Sequence, residues 1–170
     1  MGVPAYMLSI LHRQALLLNE GFSQRYGHDW LVWEPGPWKP ARSVLESNLE
    51  KTILPNTKPL ERPVGEDAIC FELKLPKGAT SLKVGRATTN DLVINDLTAS
   101  REQFSLQWTR EGWFVVAPRG LLTLDGAPVE GSSGPLRSGA LLTLGDVRLS
   151  FLVSGDLGRR AAAFKLHRSA

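Results

Sequence analysis

From Ile69 onward the apolar residues fall at every second position. Phe71, Leu73 and Leu75 alternate with polar neighbours, as do Leu82 and Val84, then Phe104, Leu106 and Trp108, then Val147, Leu149, Phe151 and Val153. Successive side chains of a strand point to opposite faces, so a period of two predicts strands with one buried face. Trp113-Phe114-Val115-Val116 and Leu141-Leu142-Thr143-Leu144 are short apolar runs of strand length. Asp125-Gly126 and Gly145-Asp146 supply turn chemistry between them. Many short strands at close spacing predict an all-β, antiparallel sandwich or barrel.

The first 64 residues read differently. Met7, Leu8, Leu11, Ala15 and Leu18 share one face at helical spacing, which predicts a helix over 5–20 with Gly21 to stop it. Trp30, Trp33 and Trp38 then fall among Pro35, Pro37 and Pro40. Those prolines exclude a helix there and remove strand donors. The tryptophans are either an aromatic ligand-binding strip or a clamp holding an extended segment on the neighbouring domain. The clamp is preferred, because three exposed tryptophans close together make an apolar patch seldom tolerated on a monomer. Ser43-Val44-Leu45-Glu46 has capping-box spacing and predicts a short helix to about Lys51. Pro55, Pro59 and Pro63 mark a linker. The expected organisation is a partly helical, Trp/Pro-rich extension over 1–64, a β domain over 65–154 and a basic tail over 155–170.

Several function classes fall away. A chain of 170 residues, 42% of them hydrophobic, buries a core without a disulfide or metal staple. No 18-residue apolar window exists, so no membrane helix is expected. The start lacks a basic n-region and its apolar run is broken by His12 and Arg13, which makes a poor signal peptide. A soluble, cytoplasmic protein is the expectation. Cys70 is the single cysteine, read as a small buried apolar residue. The net charge of +3 divides into +1 over 1–64, −1 over 65–154 and +3 over the tail. A nucleic-acid binder concentrates positive charge on its folded part, so this division argues against nucleic acid. The tail reads as a solvated terminus. His12, His28 and His167 all lie outside the β-rich region, which deprives it of a Ser-His pair or a histidine metal site. No phosphate loop, dinucleotide fingerprint or nucleophile elbow is present. No enzyme, cofactor or metal is expected.

One constellation carries specific information. Leu82-Lys83-Val84-Gly85-Arg86 is followed by Asn90-Asp91-Leu92-Val93-Ile94 and by Asp96-Leu97-Thr98-Ala99-Ser100-Arg101. This resembles the forkhead-associated (FHA) domain, whose pattern runs G-R, a few residues, N-D-I/V, then S-R-x-H. Leu136-Arg137-Ser138-Gly139-Ala140-Leu141-Leu142-Thr143-Leu144-Gly145 is similar to the family's L-x-x-G-D-x-I-x-L-G. The resemblance runs from Ile69 to about Val153. It implies an FHA-like sandwich of about eleven strands whose loops at one end bind phosphothreonine peptides, and hence a Ser/Thr kinase upstream.

The resemblance carries over Arg86, Ser100 and Arg101 as phosphopeptide ligands. An arginine at a strand end offers a forked, permanently charged donor set, and the serine adds a hydroxyl. The blander readings are that Arg86 pairs with Asp91 or Asp96 and that Ser100 caps a turn. Gln103 stands where the family has a loop-bracing histidine. Counting back from Asp125-Gly126 puts Arg119 at the family's threonine, which touches phosphate, and Gly120 at its asparagine, which bonds the peptide backbone. Two functions follow as expectations: a phosphothreonine-peptide-binding signalling adaptor, or a degenerate FHA module serving phosphate-independent protein interaction or assembly.

Overall fold

The alternation in the sequence becomes two packed sheets in the computed structural model, which describes residues 2–36, 63, 66–118 and 120–165. Trp38, the helix expected to Lys51, Pro55, Pro59 and Arg119 lie outside the described residues. In chain order the strands are β1 (Ala5–Met7), β2 (Trp30–Trp33), β3 (Ile69–Glu72), β4 (Ser81–Gly85), β5 (Leu92–Val93) and β6 (Phe104–Thr109). They continue with β7 (Gly112–Ala117), β8 (Thr123–Leu124), β9 (Ala127–Pro128), β10 (Gly131–Pro135), β11 (Leu141–Leu144) and β12 (Val147–Leu152). One sheet has the order β1-β3-β2-β12-β11-β8-β9 and the other β10-β7-β6-β4-β5. All pairings are antiparallel except β4 with β5. The fold is an all-β sandwich, with twelve strands among the described residues.

Two of those strands come from residues 1–64. β2 lies between β3 and β12, with Trp30 opposite Glu72 and Leu152, and Trp33 opposite Ile69 and Leu149. Both faces of β2 are covered, so all four of its residues are buried and no alternation shows. Leu31 and Trp33 enter the main core between the sheets, alongside Phe71, Leu106, Trp113 and Leu149. Trp30 and Val32 face the other way, into a second core with Leu8, Leu11, Tyr26 and Leu157. Trp30 and Trp33 are thus built into the sandwich rather than laid on its surface.

That second core is roofed by helices. α1 (Leu8–Leu18) buries Leu8, Leu11 and Ala15 on the stripe that the helical spacing indicates. A short α2 (Phe22–Arg25) buries Phe22. The segment read as a solvated tail contains α3 (Ser154–Ala163), whose Leu157 and Ala161 are fully buried. Within α3, Arg160 forms a two-pronged pair with Glu34, Nη1 to Oε2 at 2.6 Å and Nη2 to Oε1 at 2.5 Å. Ser150 donates to the same carboxylate at 2.7 Å. Part of the positive charge assigned to the tail is therefore neutralised inside the fold, and the Glu34 carboxylate raises the pKa of Arg160. Cys70 lies in the same layer, fully buried, and that burial pushes its thiol well above the usual range.

Turn chemistry sets the ends of the strands. Asp125 and Gly126 both take positive φ, 49° and 86°, in the two-residue connection of β8 to β9. That is the combination a type I′ hairpin needs.

Candidate functional site

Three connections gather at one end of the sandwich: the loop after β4, the loop before β6 and the loop after β7. Their approach begins with Gly85. A Cβ there would run into the Arg101 carbonyl oxygen and come within 2.9 Å of the Asn90 amide. Glycine therefore permits the two loops to touch. The contact is then sealed by hydrogen bonds, Arg86 N–H to Ser100 O at 2.9 Å and Ala87 N–H to Arg101 O at 3.1 Å. Asn90, buried, uses its side-chain amide to bridge Ala87 O and Arg101 O, both at 2.8 Å. The motif's asparagine is a structural tie between the loops.

Asp96 shapes the other side. Its carboxylate is buried and accepts from Thr98 N–H at 2.8 Å and from Thr98 Oγ1 at 2.6 Å. This local turn sends the chain back towards Arg86 and presents Ser100. Thr98 Oγ1 in turn accepts from Asp146 N–H at 3.0 Å, which anchors the loop to the β11–β12 turn. The sequence contains the signal for this arrangement, an Asp two residues before a Thr, although nothing in the alternation marks it.

The ligand residues carried over from the family are placed as follows. Arg86, half-buried, donates from Nε to Ala99 O at 3.0 Å, and its terminal nitrogens have no partner among the described residues. The Ser100 hydroxyl likewise has no partner there, while Ser100 N–H donates to Gln103 Oε1 at 2.6 Å. Arg101 is exposed and forms no ion pair among the described residues. Asp91 is occupied by Lys83 N–H at 2.8 Å rather than by Arg86. Two guanidiniums and a hydroxyl thus stand on adjoining loops with no carboxylate paired to either guanidinium among the described residues. Gly120, at φ 84°, lies on the third loop with open space around its Cβ position.

Gln103 joins that third loop to the others. It is 3% exposed, accepts from Ser100 and donates from Nε2 to the Leu121 carbonyl. A side chain with an acceptor at one end and a donor at the other makes both contacts in either charge state of its surroundings. Gln103→Leu keeps the bulk but leaves the Ser100 N–H and the Leu121 carbonyl without that partner. At about 1–3 kcal/mol for each of the two groups left unpaired, the expected loss of unfolding free energy is about 2–6 kcal/mol. Urea denaturation of the two proteins measures it, and a difference within about 0.5 kcal/mol would show that the bridge carries no weight.

Residues 82–145, the span that builds these loops, match the family model of the FHA domain. The chain contains an FHA domain. A search of the curated proteins finds no match. Among solved structures, the FHA domain of the CT664 protein from Chlamydia trachomatis is 13% identical, covering 73% of this chain and 96% of that one at a TM-score of 0.46. The N-terminal FHA domain of Rad53p from S. cerevisiae, solved in complex with a phosphothreonine peptide, is 18% identical over 53% of this chain and 88% of that one, at 0.44. A third structure, from a study of phosphothreonine-dependent FHA domain interactions, is 19% identical over 49% and 83% of the respective chains, at 0.43.

Proposed function

We propose that this chain is a phosphothreonine-peptide-binding adaptor module acting in a Ser/Thr kinase pathway. The observation that carries the reading is the cluster of Arg86, Ser100 and Arg101, drawn together by backbone hydrogen bonds with no carboxylate paired to either arginine among the described residues. A phosphate dianion supplies the missing charge and three acceptor oxygens, and charge-assisted bonds of this kind are about twice as strong as neutral ones. Arg119 and Gly120 belong to the proposed site through the third loop. The partner is a phosphothreonine-bearing protein, and the site needs no cofactor, metal or catalytic residue. Among the described residues no helix is long and apolar enough to cross a membrane. A cytoplasmic location is part of the proposal.

The second reading, a degenerate module that binds protein without phosphate, draws on Gly120. A glycine there offers no side-chain amide to a peptide backbone. Losing such a bond costs on the order of 1–3 kcal/mol, enough to take a micromolar site one or two decades weaker. Titration of the full chain with phosphothreonine peptides and their unphosphorylated twins, at two salt concentrations, separates the readings. Adaptor function requires binding of the phosphorylated member alone, weakening as salt rises because exposed charges are screened within about 8–10 Å. Equal affinity for both members favours the degenerate module.

A further inference from the structure

At the opposite end of the sandwich a cleft opens between residues on or beside strands of the two sheets. Trp108 and Trp113 are cross-strand partners on β6 and β7, so their side chains share one face. Trp113 is buried in the main core, whereas Trp108 is 47% exposed. Their rings lie 5.3 Å apart and inclined by 57°. Opposite them the chain enters β2 through His28 and Asp29 and leaves β3 through Leu73 and Leu75. Together these residues enclose an open cleft of about 370 Å3.

The two acids nearest the cleft, Glu72 on the far face of β3 and Asp29 in the lining, differ in their commitments. Glu72 is engaged on both sides, by His28 Nδ1 at 3.3 Å and by Lys74 Nζ at 3.2 Å. Asp29 forms no ion pair among the described residues and lines the cleft together with Trp113. Burial pushes the Asp29 carboxyl above its ordinary range, with the indole and the nearby His28 pulling the other way. A cation placed beside it reverses that penalty. The exposed indole face attracts the same kind of group, since a guanidinium over a tryptophan ring within about 6 Å is favoured by the ring quadrupole. Leu73 and Leu75 offer apolar wall to an aliphatic stem.

We infer that this basal cleft, remote from the phosphopeptide loops, is a second binding site for an arginine side chain presented by a protein partner, stacked on Trp108 and paired with Asp29. Arginine suits the cleft better than lysine because its planar head stacks and pairs at once. The inference does not depend on phosphate binding at the other end.

The test uses the full chain, isotope-labelled, and three capped pentapeptides with arginine, citrulline or leucine between glycine pairs. Citrulline keeps the shape of arginine and removes its charge. Saturable shifts of the Trp108 indole signal by the arginine peptide, with citrulline and leucine at least tenfold weaker, are the expected result. Trp108→Ala and Asp29→Asn each weaken the arginine peptide by about tenfold, a typical size for one such contact. Trp108 is half-exposed, so its replacement leaves the fold intact, as the unchanged dispersion of the remaining amide signals shows. Equal binding of the citrulline peptide, undiminished binding by Asp29→Asn, or no saturable shift at Trp108 overturns the inference.

Discussion

Shortened to residues 65–170, the chain is expected to lose cooperative unfolding altogether. The reason is the position of β2, which fills the gap between β3 and β12 with four register partners on each side. Without it the seven-stranded sheet is cut into pieces whose exposed edges invite aggregation. The loss in packing is as severe. Leu31 and Trp33 leave the main core, Trp30 and Val32 leave the second core, and α1 no longer covers Ala68 and Cys70. Fully burying a large apolar side chain is worth about 1.5–3 kcal/mol, so the four residues of β2 alone contribute roughly 6–12 kcal/mol. That is comparable to the whole stability of an ordinary domain, about 5–15 kcal/mol. Far- and near-UV circular dichroism on heating measures the effect. A sharp transition in 65–170 near that of the full chain would make the extension dispensable, as would limited proteolysis that releases a stable core. Trp33→Ala gives a graded version, with an expected loss of about 3–5 kcal/mol for an aromatic removed from a core.

This dependence on the extension was only half legible in the sequence. The period-two runs identify β4, β6 and β12 because each has one buried and one more open face, and the short apolar runs identify β7 and β11. β2 lacks that signature, since helices cover one side of it and the second sheet the other; Trp30-Leu31-Val32-Trp33 reads equally well as a strand or as an apolar clamp. The stop of α1 is misread for a local reason. Asn19 takes φ 47° and ends the helix two residues before Gly21, a conformation asparagine tolerates better than most residues. α3 went unread because Leu157 and Ala161 are too few to outweigh the surrounding charge, and because the partner of Arg160, Glu34, is 126 residues away. At the loops the motif order locates the residues and the Asp96–Thr98 turn has a local signal, but the ties from Asn90 to Arg101 and from Gln103 to Leu121 join separate loops, and no spacing rule reports them. Side chains that hold a site are written less plainly in a sequence than side chains that line it.

Arg86→Ala is expected to abolish phosphothreonine-peptide binding while leaving the fold in place. The substitution removes one internal hydrogen bond, Nε to Ala99 O, worth about 1 kcal/mol in stability. The backbone bond from Arg86 N–H to Ser100 O does not involve the side chain, so the two loops stay joined. What the binding site loses is larger. In the proposed site the terminal nitrogens of Arg86, without a partner among the described residues, would donate to a phosphate, and each charge-assisted bond is worth about 1.5–3 kcal/mol. Two such bonds amount to a loss of at least a hundredfold in affinity. Arg119→Ala should weaken binding almost as much, since Gly120 offers the peptide no side-chain amide and phosphate contacts must then carry a larger share. Fluorescence titration of a labelled phosphopeptide against the wild type and both variants decides, with urea denaturation as the control for folding. A fully folded Arg86→Ala protein that binds the phosphopeptide as tightly as the wild type would remove Arg86 from the site. The phosphate reading would fall with it, because Ser100 and Arg101 alone present one hydroxyl and one exposed cation, which is no more than many solvated loops offer.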